Sequence, residues 1–162
     1  MGSVPLRTLL ALAAIAVLAF SSLAYAAEIS RDEYKAKVEP ICKTNSKANE
    51  TILKPVRKLV KQNKLKQAAA RFTQASAALK KTLSQLKAVP QPTADEARLA
   101  KWLGYIQTEA NLFSQAAKKL KAGKKGAAQK VVNKLTSTAN QANATVLSFE
   151  FHFCKLEPSK FT

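Results

Sequence analysis

Apolar side chains return at three- and four-residue steps through four successive stretches of this chain, a period that fits amphipathic helices and not half-buried strands. The first stripe is Tyr34, Val38, Ile41, Ala48, Ile52, Val56 and Leu59, with Asn45 on the same line. The second is Leu65, Ala69, Phe72, Ser76, Leu79, Leu83 and Leu86, and the third Leu99, Leu103, Ile106, Ala110, Phe113, Ala117 and Leu120. The fourth is Ala128, Val131, Leu135, Thr138, Ala142, Thr145 and Phe149. Period-two alternation holds only in the short run Phe149-Glu150-Phe151-His152-Phe153.

The punctuation agrees with four helices. Ser30-x-x-Glu33 and Thr93-x-x-Glu96 both match the capping box, in which a hydroxyl and a carboxylate satisfy the free N–H groups of a first turn. Pro40 and Pro55 interrupt the first stripe, so the spacing predicts either one kinked helix near 30–62 or two shorter ones. Asn63-Lys64 offers a break, Pro90-Gln91-Pro92 a stop, and Gly123 a helix C-terminus. Four stripes of comparable length joined by short connections predict an all-α fold, an antiparallel up-down four-helix bundle.

The segment ahead of the stripes reads differently. Arg7 precedes a 12-residue apolar run, Leu9 to Phe20, and Ala24-Tyr25-Ala26 follows. A basic start, a short apolar stretch and an A-x-A site match a secretory signal peptide cleaved after Ala26. A membrane anchor is the alternative, but 12 apolar residues are too few to cross ~30 Å of hydrocarbon. Residues 1–26 are thus expected to leave, and residues 27–162 to form one helical domain without a transmembrane segment.

Cys42 and Cys154 both lie beyond the cleavage point. An even pair in an exported chain reads first as a disulfide, two buried free thiols being the alternative. In an up-down bundle the end of the fourth helix returns beside the start of the first, which brings these cysteines to one end.

Catalytic and metal-binding sets are not visible. Two Cys and one His fall short of the four ligands of a Cys/His zinc site. His152 is the sole histidine and has no nucleophile and orienting partner in its neighbourhood, so a packed structural role is expected for it. Asp32/Glu33 and Asp95/Glu96 fall in first turns, where the helix dipole accounts for them. Nucleotide-binding glycine loops and haem attachment motifs are absent from the sequence. A non-enzymatic protein without cofactor or metal is expected. Trp102 reads as the edge of the core.

Charge is the more telling feature. The chain carries 27 Lys+Arg against 10 Asp+Glu, a formal +17, and losing Arg7 with the leader leaves +16 on 136 residues. Residues 51–94 hold ten basic side chains and residues 110–149 hold seven, with no acid in either stretch. In the expected bundle the connections between helices 1 and 2 and between helices 3 and 4 share one end. That places Lys54, Arg57, Lys58, Lys61, Lys64, Lys66 and Arg71 near Lys118, Lys119, Lys121, Lys124, Lys125 and Lys130. Helix dipoles explain a few such charges per terminus but not the net excess. The expected partners are anionic polymers or an acidic membrane surface, reached outside the cell or in its envelope. Lys outnumbers Arg and few aromatics are interleaved, which argues against stacking or sequence-specific readout of nucleic acid. A second expectation is a carrier of small apolar ligands, with a pocket between helices lined by Phe72, Ile106, Phe113 and Phe149.

Several stretches together carry a resemblance: Ile41-Cys42 with Asn45, Pro90-Gln91-Pro92 with Asp95 and Trp102-Leu103, Lys121-Ala122-Gly123, and the ending Phe149-Glu150-Phe151-His152-Phe153-Cys154. In these the chain resembles a group of small exported actinobacterial helical proteins of unknown function. Glu150 stands where that group leads one to expect a glycine. The resemblance implies secretion and a Cys42–Cys154 pairing, and it implies no activity.

Overall fold

The computed structural model describes residues 28–157 and is all-helical, with no strand among them. Four long helices, α1 (Arg31–Leu53), α3 (Leu65–Lys87), α4 (Glu96–Lys121) and α5 (Lys125–Thr145), are joined by short connections, and the six-residue α2 (Val56–Lys61) follows α1. The leader expected at residues 1–26 lies outside the described residues.

Local chemistry explains the boundaries. Ser30 and Glu33 form the complete reciprocal capping box at the start of α1. Pro40 is accommodated inside α1, whereas Pro55 divides α1 from α2. The expected helix near 30–62 is therefore two helices cut at the second proline. α2 and α4 end alike. Asn63 (φ 59°) and Gly123 (φ 74°) turn left-handed, and the next N–H groups, of Lys64 and Lys124, donate to Leu59 and Lys119. This is the six-to-one closure of a Schellman motif, which suits Gly and tolerates Asn. The second expected capping box does not form. Thr93–Asp95 is a 3₁₀ turn, the Thr93 side chain caps nothing, and its N–H donates to Glu28 instead. Asp95 is diverted into a two-hydrogen-bond ion pair with Arg31, at 2.8 and 2.9 Å, which joins the starts of α1 and α4.

The stripes of α3 and α4 are buried as the periodicity predicts, with Leu65 half-buried at the start. That of α1 is shifted. After Val38 the buried line runs through Cys42, Asn49, Leu53 and Val56, one residue beyond Ile41, Ala48 and Ile52, which lie half-buried on its flank. In α5, Thr138 and Thr145 are half-buried. α1 packs on α3, α3 on α4 and α4 on α5.

The chain beyond α5 completes the core. The alternating run at 149–153 forms no strand. Phe149 closes a 3₁₀ turn (Leu147–Phe149), Glu150 takes a left-handed conformation (φ 50°), and Phe151 turns inward. Phe151 meets Trp102 at 5.3 Å between ring centroids and Phe149 at 5.2 Å, and Phe149 meets Tyr34 edge-on. Trp102 is 1% exposed, so it belongs to the core and not to its edge. The Glu39 carboxylate accepts the backbone N–H groups of His152 and Phe153. Cys154 then forms a disulfide with Cys42, their Cα atoms 4.9 Å apart and 112 positions apart in sequence.

Closing so long a loop removes freedom from the unfolded chain, equivalent to ~4–5 kcal/mol as an upper figure. Replacing both cysteines by Ser is expected to lower unfolding stability by several kcal/mol, read as a lower denaturant midpoint that matches the reduced native chain. At Glu150, substitution by Gly is expected to be neutral or to stabilise by up to about 1 kcal/mol, because only glycine adopts positive φ without steric cost. Glu150→Val is expected to lower the same midpoint.

Candidate functional site

Two regions gather polar chemistry, and they share no residue. The first is the basic end. A groove of about 400 Å³ has an apolar floor that includes Val56, Val60, Phe72 and Leu120, with Arg57, Lys61 and Lys125 among its walls. Next to it Lys64 and Lys66 face Lys121 and Gly123 across a shallower hollow. Lys118, Lys119 and Lys124 line a third. The two matched Schellman turns, at Asn63 and Gly123, bring these segments side by side. The structure therefore unites most of the cations expected at this end. Lys54 and Lys58 are exposed on the same segment but line none of these hollows. No carboxylate occurs in residues 51–94 or 110–149 to neutralise them.

The four side chains expected to line one apolar pocket are not brought to one cavity. Phe72 lies against Phe113 at 5.9 Å and lines the basic groove, while Ile106 lines a separate polar pocket. Phe149 is locked in the Tyr34–Phe151 cluster. The chain beyond α5 packs Phe149 and Phe151 against Tyr34 and Trp102, apart from the Phe72–Phe113 pair. His152 is likewise not packed inside: its side chain is exposed and touches the edge of Phe153.

The second region is that polar pocket, held between α1, α3, α4 and the chain around the disulfide. Asn45 and Asn49 reach it from α1, Thr82 from α3, Glu109 from α4, and Phe153 to Glu157 form its outer wall. Asn49 is 1% exposed and Glu109 2% exposed. Asn49 donates from Nδ2 to Asn45 Oδ1 at 3.1 Å, but its own Oδ1 has no partner among the described residues, and neither has Glu109 Oε1. Burial pushes the Glu109 carboxyl up to about 8, since an ionised carboxylate loses its hydration there.

The burial of Glu109 and Asn49 was not expected, although the sequence carries a signal for it. Trp102, Ile106, Glu109 and Phe113 follow one another at four, three and four residues, which puts a carboxyl on the buried face of α4. Asn49 stands four residues beyond Asn45, whose place on the apolar stripe of α1 is a further sign.

The Glu109 shift has a definite pH consequence. The folded chain holds a proton at Glu109 that the unfolded chain releases near the ordinary carboxyl range, so stability is fully present below about 4.5 and is lost progressively as pH rises to about 8. In thermal or denaturant unfolding from pH 5 to 8, Glu109→Gln is expected to remove this decline and to be more stable than the native chain at pH 8. Equal pH slopes in the two proteins would contradict the burial effect.

Compared with known proteins, the chain matches no family model, no curated protein and no solved structure, so its functional reading rests on the geometry above.

Proposed function

We propose that this is an exported, non-enzymatic helical protein whose basic end associates with anionic polymers or acidic membrane surfaces of the cell envelope or its surroundings. The observation that carries the reading is the meeting of two acid-free stretches, residues 51–94 and 110–149, in the walls of neighbouring hollows. Seventeen basic side chains without a local counter-charge create a field that concentrates anions and raises their rate of encounter. Only five of the 27 basic residues are Arg, so the surface attracts phosphate, sulfate or carboxylate groups as point charges and lacks the rigid forks that read bases. The Cys42–Cys154 disulfide supports an oxidising compartment, and no helix among the described residues is long and apolar enough to cross a membrane.

The same reading takes the four long helices as an up-down-up-down bundle. Pairs that run in opposite sense support it: Phe72 with Phe113 and Ser76 with Ala110 between α3 and α4, and Arg98 with Ser148 between the start of α4 and the chain after α5. Arg31 with Asp95 supports α1 and α4 starting at one end.

One observation favours a second reading at the same place. The groove of about 400 Å³ combines an apolar floor with a cationic rim, the complement of an amphiphile with an anionic head and a short apolar chain. A carrier of this kind would use Phe72 but none of Ile106, Phe113 and Phe149.

The test is retention on immobilised heparin or polyphosphate over a salt gradient. Binding is expected to weaken steeply with salt, because released counterions drive it. Changing Lys118, Lys119, Lys121 and Lys124 to Gln is expected to cost more retention than the same change at Lys35, Lys37, Lys43 and Lys47. Equal losses, or retention unchanged up to molar salt, would contradict the proposal.

A further inference from the structure

The lining of the polar pocket beside the disulfide differs in charge from the chain as a whole, holding more acidic than basic side chains among the described residues. The whole chain has 10 Asp+Glu, and among the described residues Glu50, Glu109 and Glu157 line this pocket together with Lys155. Glu50, Lys155 and Glu157 are exposed at its rim, whereas Glu109 is deep within it. Among the described residues the charged groups that line the pocket with Glu109 are Glu50 from α1, with Lys155 and Glu157 from the C-terminal wall. α3 contributes only the neutral Leu79, Thr82 and Leu86.

Two buried oxygens of the pocket lack a partner. Asn49 Oδ1 is an acceptor, Glu109 Oε1 is one once the carboxyl is ionised, and no described protein group donates to either. Leaving a buried acceptor unpaired is costly, and more so for a charged group. A ligand that presents N–H donors and a positive charge answers both atoms, with the ionised Glu109 carboxylate as its counter-charge. Around the acceptors the walls are apolar, with Leu79, Leu86, Trp102 and Ile106 suited to a short carbon chain. The space of about 60 Å³ exceeds what one water fills. A bare divalent ion wants several converging oxygen anions, and no three His, Cys, Asp or Glu side chains converge among the described residues.

We propose that this pocket binds a small organic ammonium ion, with Asn49 Oδ1 and Glu109 Oε1 accepting its N–H groups and the apolar side chains covering its carbon chain. The ionised Glu109 carboxylate supplies the counter-charge. In the empty pocket burial pushes that carboxyl up to about 8, so below this pH an ammonium ion must displace a proton to bind. Affinity then rises with pH up to about 8, by up to tenfold per unit.

Trp102 is the sole tryptophan and lines the pocket, so its fluorescence reports occupancy. The disulfide-bonded chain is titrated with n-butylammonium chloride, with 1-butanol, and with KCl at matched ionic strength. Butylammonium is expected to give a saturable change that tightens roughly tenfold or more from pH 6 to pH 8, while butanol and KCl give none. Glu109→Gln, a neutral replacement of the same shape, is expected to abolish the response, and Asn49→Ala to weaken it about tenfold, with helical circular dichroism retained. If either variant fails to fold, the pH dependence and the butanol arm on the native chain still decide. An equal response to butanol assigns an apolar pocket, an equal response to KCl a bare-cation site, and no saturable response a pocket that holds only water. Each of these overturns the proposal, as does a folded Glu109→Gln chain that binds unchanged.

Discussion

The bond between Cys42 and Cys154 sets the place of the described chain beyond α5, up to Glu157. Among the described residues there is no regular secondary structure after Phe149, so this stretch lacks a hydrogen-bonded ladder of its own. It is held instead by the disulfide, by the Glu39 carboxylate accepting two backbone N–H groups, and by Asn143 donating to the Leu156 carbonyl. Held so, it presents Phe149 and Phe151 to Tyr34 and Trp102, and burying each large aromatic side chain contributes on the order of 2–3 kcal/mol. The covalent tie and the aromatic packing support each other: the first fixes the register, and the second gives it energy. The same tie places Phe153 to Glu157 over the polar pocket, which would otherwise open to solvent.

At the far side the organising device is a pair of equivalent turns. Asn63 and Gly123 both take left-handed conformations and reverse the chain after only three or four residues. Both are flanked by lysine, and neither neighbourhood contains an acid. Short turns that are basic for helix-capping reasons thus become, once adjacent, a surface whose charge exceeds what capping requires. Segregating charge in this way leaves the disulfide end comparatively rich in carboxylates, among them Glu39, Asp95 and Glu109, which tie the chain's elements together or sit within them.

Much of this was legible in the sequence. The stripes of α3 and α4, the stop at Gly123 and the Cys42–Cys154 pairing follow from period, backbone freedom and an even cysteine count. Where sequence and structure part, tertiary competition for a side chain is one cause. Asp95 and Glu96 lie in first turns as expected, but Asp95 is drawn to Arg31, and the box around Thr93 gives way to a 3₁₀ turn. The buried line of α1 runs through Cys42 and not Ile41, in step with Tyr34 and Val38 at four-residue spacing. Glu109 was hidden because a carboxyl is not sought on an apolar stripe, yet its spacing from Ile106 and Phe113 places it there.

The central claim is that one end of the molecule, and not its whole surface, meets anionic partners. Amide chemical-shift mapping of the isotopically labelled protein during titration with a polyanion tests it residue by residue. The account predicts perturbations concentrated in residues 54–71 and 118–130, fading with added salt, and little change around Cys42, Asn49 and Phe151. Perturbations spread evenly over all exposed lysines, or centred on the disulfide end, would contradict it.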